Sequence, residues 1–556
     1  MHRFLKYICF LLSAALIFNL CGCTKKQAKN TVSNTSSKAA EVSNLSNFDI
    51  LYCSKDGFDP YTCKTKQNFE LSYLLFDPLI KLDNNYNSVK VLADNITVNG
   101  KTCTVSLKNV TFTDGSQVTA NDVAFSFKKA KRSKTVYYYS LKNASSAEVV
   151  NNNTVTFKLT KKDPYFSNCL DFPIIKSGSD TRKNSDNKYL PPIGSGRYIL
   201  TDDMDALNRN KNYFLGEPSV KTISLADSPD TEADYTNIEA GLIDYYYSNL
   251  EKGEFPKMNG RKATVNLNNM VFLGMNTQRS FVGNVLFRQA ISSAINRNEL
   301  CEKAYFTNAT PAIGPFPSAF QPAKDFQTIS ASSNTNSFND NIAKLGYNNK
   351  NSEGLLLSGK KPITIELLVN KDNTVRTTAA NQIADQLLKV GITVNVKSVS
   401  NGEYQSRINA KNYDMYLGEM RISNNMDLTE LLGVATKNAV NTSSKANSSK
   451  SANSSKTSSG SSDSSKNTVS KNTNSSNSSA VTSSENSAYI GVTAKTALSK
   501  FYSGEYSLGD FITVFTSELP VIPVVFRTGI AMYSNNIKCS FNPSQSDLFF
   551  GFEKLK

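Results

Sequence analysis

The stretch NMVFLGMNTQRSFVGNVLFRQAISSAINR, residues 269–297, carries two patterns that together predict an α/β fold. Its first part, 270–275, is an apolar run typical of a buried strand. A polar turn with Gly283 follows, and apolar residues then recur at three- and four-residue spacing from Leu286 to Ile295. This spacing places them on one face of a helix, where they can pack on a core. Taken alone, the stretch predicts one strand and one amphipathic helix.

The length and charge of the chain limit the classes of protein to consider. A chain of 556 residues is too long for a single hydrophobic core, so we expect two or three domains. The formal net charge is +15, but the lysines and arginines are scattered among asparagines and serines. No helix-turn-helix, zinc-finger or RNA-binding motif accompanies them, so we expect no nucleic acid partner. A basic surface facing an anionic cell envelope, or a simple bias in composition, accounts for the charge.

The N-terminus has the form of an export signal. A basic start precedes an apolar run of about 13 residues at 8–20, which is the length of a signal peptide and short for a membrane span. The run ends in LCGC at 20–23, which resembles the lipobox of bacterial lipoproteins. We therefore predict a signal peptide at 1–22, lipidation of Cys23 and a flexible tether at 23–47. The alternative is an ordinary secretory signal with a chance cysteine.

The usage of histidine and cysteine argues against catalysis and metal binding. The single histidine, His2, lies inside the predicted signal peptide, so the mature chain has no Ser-His-Asp triad and no histidine-ligated metal. The nine cysteines include no C-x-x-C pair, so neither a zinc site nor a redox motif is indicated. We expect no enzymatic activity, no metal and no cofactor.

A second motif, VTFTDGSQVTANDVAFSF at 110–127, has the order strand, turn, helix. Asp114 and Gly115 suit a turn. Thr119 is a good N-cap residue, and Asp122 stands at the third position of the helix that follows. The motif predicts structure and implies no catalysis.

The rest of the chain alternates helices and strands, with one interruption. We expect a helix at 69–82 and a β-α-β unit at 362–399, whose two strands should be parallel. From 436 to 487 the composition collapses to Ser, Asn, Thr, Lys and Ala. Such a segment buries too little apolar surface to offset its chain entropy, so we predict a disordered insertion there.

Four segments together resemble one family. The stretch 269–297, the motif 110–127, PIGSGRY at 192–198 and ELPVIPVVFR at 518–527 are similar to the matching segments of the bacterial extracellular solute-binding proteins of family 5. These are the peptide- and nickel-type substrate-binding lipoproteins of ABC transporters. The resemblance covers nearly all of 48–556 apart from the insertion.

The resemblance implies an α/β, bilobal periplasmic-binding-protein-like fold of class II, the large three-domain type, with two crossovers between the lobes. The strand of the opening stretch would carry the chain from the first lobe into the second, with the ligand between them. The implied boundaries are lobe 1 at 48–268 with an inserted subdomain, lobe 2 at 269–518, and a return to lobe 1 at 519–556. We expect hinge bending at Met270–Asn276 and Leu519–Val524.

The implied function is non-covalent capture of peptides outside the membrane and their delivery to an ABC permease. The protein would be a monomer, held by its lipid on the extracellular or periplasmic side of the cell membrane. The alternative is the same fold with a nickel chelate, haem, an oligosaccharide or a peptide pheromone as ligand. A distant third reading is an envelope hydrolase.

The resemblance also indicates where ligand contacts lie. Relatives carry a ligand-facing tryptophan and aspartate in the segment that follows 413–419. Here Met420 stands in place of the tryptophan, and Ser423 or Asn424 stands near the aspartate. Asp427 matches a later acid of the family.

We assign roles to these candidates by their chemistry. Asp427 is expected to hold the α-amino end of a peptide, or alternatively to cap the helix that follows it. Asn276 is a candidate for main-chain contacts, and Arg527 and Arg421 are candidates for the terminal carboxylate. Tyr247 would line the cleft, although alternating aromatic residues on a half-buried strand explain it equally well.

The lipobox gives a first testable prediction. Cys23→Ser is expected to abolish incorporation of labelled fatty acid in cells and to release the protein from the membrane fraction, because the thiol is the acylation site. Cys21→Ser is the matched control and should keep both properties. Membrane retention of the Cys23→Ser protein together with no label in the wild type would contradict the prediction.

Overall fold

A computed structural model describes the chain from residue 48 to residue 552, except for 186, 188, 252–256, 435–490, 536 and 538–540. The predicted signal peptide at 1–22, Cys23 with the tether at 23–47, and the insertion at 436–487 lie outside the described residues. Within the described part, no helix is both long and apolar enough to cross a membrane.

Helices and strands alternate along most of the described chain. The α-helices are α1 (Lys66–Leu75), α2 (Ala120–Arg132), α3 (Val136–Ser140), α4 (Thr231–Glu239), α5 (Val285–Ala294), α6 (Arg297–Lys303), α7 (Thr335–Lys344), α8 (Thr374–Lys389), α9 (Asn401–Asn409), α10 (Thr429–Val434), α11 (Ala494–Ser503) and α12 (Leu508–Glu518). The strands are β1 (Phe48–Tyr52), β2 (Ile80–Leu82), β3 (Ser88–Lys90), β4 (Ala93–Asn99), β5 (Thr102–Leu107), β6 (Ala144–Asn151), β7 (Thr154–Leu159), β8 (Tyr198–Leu200), β9 (Ala206–Arg209), β10 (Thr222–Asp227), β11 (Tyr245–Ser248), β12 (Gly260–Met275), β13 (Ala309–Pro311), β14 (Leu357–Ser358), β15 (Lys361–Pro362), β16 (Thr364–Asn370), β17 (Thr393–Val399), β18 (Met415–Arg421) and β19 (Val521–Ser534).

One mixed sheet runs through the whole described part. Its strands lie in the order β17-β16-β18-β12-β19-β11-β1-β10-β9-β8, and β13 pairs with β19. β16 and β17 are parallel and are connected by α8, so the predicted β-α-β unit is confirmed. The two longest strands, β12 with 16 residues and β19 with 14, pair antiparallel at the centre.

These two central strands pass from one hydrophobic core into another. On β12, Val265 and Leu267 belong to the first core, and residues 271, 273 and 275 belong to the second. On β19 the order is reversed, with residues 522, 524 and 525 in the second core and residues 531 and 533 in the first. A third core uses the alternate residues of β12 and therefore covers the other face of the sheet. We call the part built on the first core lobe 1 and the part built on the other two lobe 2.

A bulge interrupts the pairing of the two strands where they change core. Between the pairs Asn266–Thr528 and Met270–Phe526, β12 has three residues, 267–269, opposite a single residue of β19. A bulge bends its strand and increases the local twist. We therefore propose this point as the hinge, a few residues away from the segments expected from sequence. The lobe boundaries expected from sequence stay a prediction.

The strand-turn-helix motif at 110–127 begins α2 in lobe 1. The carboxylate of Asp122 accepts hydrogen bonds from the backbone N–H of Thr119 at 2.9 Å and from its hydroxyl at 2.6 Å. Gly115 has a φ of +83°, as the predicted turn requires. α2 packs on β6 and β7 of a separate four-stranded antiparallel sheet, β4-β5-β7-β6. The capping prediction is confirmed.

The prediction of a helix at 69–82 is wrong for the second half of that range. α1 ends at Leu75, and the chain becomes extended again at Ile80 in β2. Pro78 has no N–H with which to continue a helix, and it disfavours helical backbone at the preceding Asp77. The apolar residues after the proline pack in lobe 1 as a strand.

The two glycines of PIGSGRY allow two segments of the chain to approach each other closely. A Cβ atom at Gly194 or Gly196 would overlap the backbone of Leu75 at the end of α1. The N–H of Gly196 donates to the Leu75 carbonyl at 3.1 Å. Only glycine leaves room for this contact, and the contact places Arg197 next to the lobe 1 core.

A buried ion-pair network fastens the C-terminal segment to lobe 1. The Arg197 guanidinium donates to both carboxylate oxygens of Asp547, at 3.0 and 2.8 Å, and to the carbonyl of Phe549 at 2.9 Å. Lys81 Nζ lies 2.9 Å from the same carboxylate. Burial by itself raises the pKa of Asp547, but Arg197 and Lys81 outweigh it and lower that pKa.

Removal of the Arg197 guanidinium should destabilise the folded protein. Arg197→Met is expected to lower the free energy of unfolding by about 3–5 kcal/mol at neutral pH, because it strips a buried carboxylate of a partner. Arg209→Met is the matched control: it breaks a half-exposed pair with Glu217 and should cost about 0–1 kcal/mol. Urea unfolding measures both.

The loss of stability caused by Arg197→Met should also depend on pH. The pKa of Asp547 is lower in the folded chain, so its stabilisation is present above the unfolded pKa and is lost as the pH falls through the folded pKa. The gap between the wild type and Arg197→Met should therefore narrow in acid. A cost no larger than that of Arg209→Met would contradict the role of the network.

Candidate ligand-binding cleft

A cleft with a volume of about 1840 Å³ lies between the two lobes. Lobe 1 lines it with residues at 61–73, 132–143 and 160–161, and lobe 2 lines it with residues at 419–430. Arg527 of β19 lines it beside the bulge. The volume exceeds the roughly 300–1,000 Å³ of pockets for drug-sized ligands. The cleft therefore has room for an extended ligand.

The structure brings together most of the candidates expected from sequence. Five of the seven line the cleft, namely Tyr247, Arg421, Ser423, Asp427 and Arg527. Asn276 and Asn424 are buried and do not line it.

Asp427 lies at the start of α10 with its charge already balanced. One carboxylate oxygen accepts from the N–H of Thr429 at 2.9 Å, which caps the first turn of the helix. The other lies 2.7 Å from Nζ of Lys161, which reaches across from lobe 1 and stands 3.8 Å from the ring centre of Tyr502. Burial by itself raises the pKa of Asp427, but Lys161 outweighs it and lowers that pKa. In this structure the ammonium group that pairs with Asp427 is therefore that of Lys161.

Arg527 is held by a buried acid of lobe 2. Its Nε donates to Glu419 at 2.6 Å, and its Nη1 donates to the carbonyl of Asn249 at 2.6 Å. Glu419 also lies 3.4 Å from Arg376 and accepts from the amide of Asn269 at 2.8 Å. Burial by itself raises the pKa of Glu419, but the two guanidinium groups outweigh it and lower that pKa. The charge of Arg527 is therefore compensated within the protein.

Arg421, at the end of β18, is available to a ligand. Its side chain is exposed to the cleft, and among the described residues it makes no hydrogen bond and no ion pair. Burial raises the pKa of Tyr73 and of Tyr247, and the charge of Arg421 opposes that shift at both hydroxyls. Two residues further on, Ser423 donates to the amide oxygen of Asn425 at 2.5 Å.

Asn424 joins the two lobes through a network of amides. Its Nδ2 donates to Asp171 of lobe 1 at 2.7 Å, and its Oδ1 accepts from Asn268 at 3.1 Å and from Gln545 at 3.0 Å. The second carboxylate oxygen of Asp171 is buried and has no hydrogen-bond partner in the described structure. Burial raises the pKa of Asp171 to about 6, although Arg421 opposes the shift.

Asn276 connects the end of β12 to the turn before β18. Its Nδ2 donates to the carbonyls of Lys411 and Tyr413 at 2.9 and 3.0 Å. Its Oδ1 accepts from the N–H of Gln278 at 3.2 Å. The amide is therefore engaged within lobe 2.

Sequence reasoning missed Lys161, Glu419 and Arg376. Glu419 had a usable signal, because it is the single charge in the strand segment 415–420 and a charge in a buried strand needs a partner. Lys161 had none, since it pairs with an acid 266 residues away. Nothing near Arg376 in the sequence predicts its contact with β18.

The described residues hold no group of three or more His, Cys, Asp or Glu side chains arranged to bind a metal ion. The side chains that line the cleft include tyrosines, amides and charged groups beside apolar residues such as Phe69, Leu267 and Met420. Such a surface can bind a ligand through hydrogen bonds and ion pairs.

Comparison with known proteins identifies the family. The sequence pattern of the bacterial extracellular solute-binding proteins, family 5 (middle region), matches residues 88–441. The chain belongs to this family. Family 5 comprises substrate-binding proteins of ABC importers, so the resemblance noted from the sequence is confirmed.

Proteins with different named ligands are similar to this chain in sequence or in fold. The oligopeptide-binding protein AppA of Bacillus subtilis is 27% identical over 373 residues, which are 62% of this chain and 67% of that protein. Heme-binding protein A of Haemophilus influenzae is 22% identical over 452 residues, 72% of this chain and 78% of that protein. The crystal structure of the nickel ABC transporter from Bacillus halodurans has a TM-score of 0.66 at 14% identity and covers 92% of this chain and 99% of its own. The bilobal α/β fold with two crossovers is confirmed.

The raised pKa of Asp171 generates a pH-dependent prediction. The carboxyl binds its proton more tightly in the folded chain, so its stabilisation is full below the unfolded pKa and is lost as the pH rises through about 6. Asp171→Asn stays neutral, so we expect it to exceed the wild type in unfolding free energy by roughly 1–3 kcal/mol at about pH 7.5, with little difference near pH 4.

Urea unfolding at both pH values tests this, with Asp114→Asn as a control of opposite sign. Asp114 has its pKa lowered to about 2, an effect in which the hydrogen bond from Lys176 outweighs partial burial. Its neutral variant should therefore lose stability at the higher pH. A loss for Asp171→Asn at about pH 7.5, or a gain that does not change with pH, would contradict the prediction.

Proposed function

We propose that this family 5 protein captures peptides in the cleft between its lobes and delivers them to the permease of an ABC importer. The observation that carries the proposal is the pair of opposite charges along one wall, Arg421 and, six residues later, Asp427. A peptide presents a carboxylate at one end and an ammonium at the other. A guanidinium binds a carboxylate through two parallel hydrogen bonds, and an ammonium removed from water needs a compensating charge.

The size and polarity of the cleft support a peptide ligand. A cleft of about 1840 Å³ holds an extended chain with its side chains and bridging water. Asn249 and Asn269 also line it, and their side-chain amides can form hydrogen bonds with a peptide main chain. The name of the Bacillus subtilis relative, an oligopeptide-binding protein, agrees with this ligand class.

The ion pair between Lys161 and Asp427 suggests how binding is coupled to lobe motion. Lys161 comes from lobe 1, and its partners Asp427, Thr429 and Tyr502 lie in lobe 2. The α-amino group of a peptide would take the place of the lysine ammonium at Asp427 and release this contact between the lobes. A ligand that binds one arrangement of the lobes better shifts their equilibrium by that difference in affinity.

We also propose where the protein acts. Cys23 would carry the lipid that holds a monomer on the outer side of the cell membrane, as the N-terminal sequence suggests. The lobes would bend about the bulge at 267–269.

Titration calorimetry with one peptide in free-amine and N-acetylated form tests the proposal. Asp427→Asn should weaken the free-amine peptide by about 1.5–3 kcal/mol, the range for charged hydrogen bonds, and leave the acetylated peptide nearly unchanged. Glu430→Gln is the matched control, because it removes an exposed ion pair with Lys142 in the same segment. It should change the affinity for both peptides little.

A second variant separates ligand binding from helix capping. Lys161→Met leaves the capping hydrogen bonds of Asp427 intact and removes the ammonium that competes with the peptide, so it should strengthen the free-amine peptide. An equal loss of both peptides in Asp427→Asn would assign Asp427 to capping alone. If the wild type binds no peptide, and binds haem or a nickel chelate instead, the peptide proposal is overturned.

A further inference from the structure

The charges that line the cleft do not balance. Nine lysine and arginine side chains line it, against five aspartate and glutamate side chains. The chain as a whole is basic, with 62 basic and 47 acidic residues, but the excess in the cleft is proportionally larger. Whether this excess of positive charge can act on a ligand depends on how the charges are paired within the protein.

Every acid of the cleft interacts with a cation of the protein. Glu251 acts electrostatically on Arg527, whose pKa is raised because its acidic neighbours, Glu419 first, outweigh its burial. The others form ion pairs, which are Lys66–Glu70 at 2.9 Å, Lys142–Glu430 at 2.9 Å, Lys161–Asp427 at 2.7 Å, Arg376–Glu419 at 3.4 Å and Arg527–Glu419 at 2.6 Å. Five cations and five acids are thus matched to one another.

Four cations of the cleft form no ion pair among the described residues: Lys64, Arg132, Lys134 and Arg421. Arg421 acts electrostatically on the buried Asp171, which does not line the cleft. All four are exposed to solvent in this structure. Three of them come from lobe 1, and Arg421 comes from lobe 2. The unmatched positive charge therefore faces the ligand space from both sides.

Unmatched charges of one sign become costly when the lobes close on a ligand. Closure removes water, and repulsion between like charges grows as the local dielectric constant falls. A peptide with neutral side chains carries one ammonium and one carboxylate, so it brings no net charge to offset the excess. A ligand with additional carboxylates offsets it and attracts both lobes at once.

We infer that the cleft selects peptides of net negative charge, in which acidic side chains outnumber basic ones. This inference rests on the proposed peptide-binding function and adds a substrate class to it. Arg132, the last residue of α2, and Lys134, two residues after it, are the specificity-determining residues of lobe 1, and Arg421 lines the same cleft from lobe 2.

Peptides of equal length that differ at one central residue test the inference. With Glu, Gln or Lys at that residue, calorimetry should give affinity in the order Glu, Gln, Lys, with about tenfold between the first and the last at low ionic strength. The spread should shrink at physiological salt, because exposed charges are screened.

A double variant locates the effect. Arg132→Gln with Lys134→Gln should reduce the preference for Glu over Gln by about 2- to 10-fold and leave the affinity for the Gln peptide nearly unchanged. The control is Lys344→Gln with Lys397→Gln, which removes the same charge from exposed positions outside the cleft. It should keep the preference.

The outcomes separate this inference from the function on which it rests. If peptides bind with affinities that do not depend on their charge, or if both double variants change the preference equally, charge selection is overturned while peptide binding stands. If no peptide binds the wild type, the proposed function is overturned and the inference with it. A preference for Glu that the Arg132→Gln and Lys134→Gln variant loses and the control keeps would establish it.

Discussion

The antiparallel pairing of β12 with β19 is the constraint on which the rest of the structure depends. These strands are the only ones in the described part that contribute side chains to the cores of both lobes. Their ladder keeps the lobes in register, and the bulge at 267–269, followed by a second irregularity between Val271 and Phe272, interrupts the ladder where it can bend. The same strands position the cleft, since Asn269 and Arg527 line it at that point. β18, paired along β12, places Glu419 and Arg421 beside them.

Two buried ion pairs show charges that are balanced within the protein, and Arg421 of the cleft departs from this arrangement. Arg197 with Asp547, and Arg527 with Glu419, are taken out of water together and hydrogen-bonded to each other. Such pairs avoid the several kcal/mol that a lone buried ion costs. Arg421 has no such partner in the described residues and stays in water. The charges of these two pairs are matched within the protein, whereas that of Arg421 faces the solvent of the cleft.

Sequence predicted the elements whose signals are local. The strand and helix of 269–297 appear as the end of β12 and as α5, because apolar periodicity reports which face is buried. The Thr119–Asp122 cap and the parallel β-α-β unit rest on equally local chemistry. The helix expected at 69–82 ends at Leu75, because Pro78 disfavours helical backbone at the residue before it.

Much of the site could not be predicted in this way. A short sequence window shows which residues are charged or polar but not which ones meet. Lys161 meets Asp427 across 266 residues, and Asn424 meets Asp171 across 253. Five of the candidates carried over from the family line the cleft. Their hydrogen-bond and ion-pair partners decide whether each side chain is free to bind a ligand, and these partners are known only from the folded structure. Asn276 shows the difference, since its amide is engaged by the backbone of its own lobe.

The contacts between the two ends of the described chain have a consequence for the order of folding. The ring of Phe48 in β1 packs against that of Phe552, with centres 5.0 Å apart, and Arg197 meets Asp547 across 350 residues. Lobe 1 thus has very long-range contacts, which form slowly because a long loop must close first. The described segments of the lobe 2 cores are all present once β19 has been made, whereas lobe 1 lacks its last described aromatic residues until Phe552 has been made. A chain truncated before Asp547 would keep every described segment of the lobe 2 cores and lose the contacts of Asp547 and Phe552 in lobe 1.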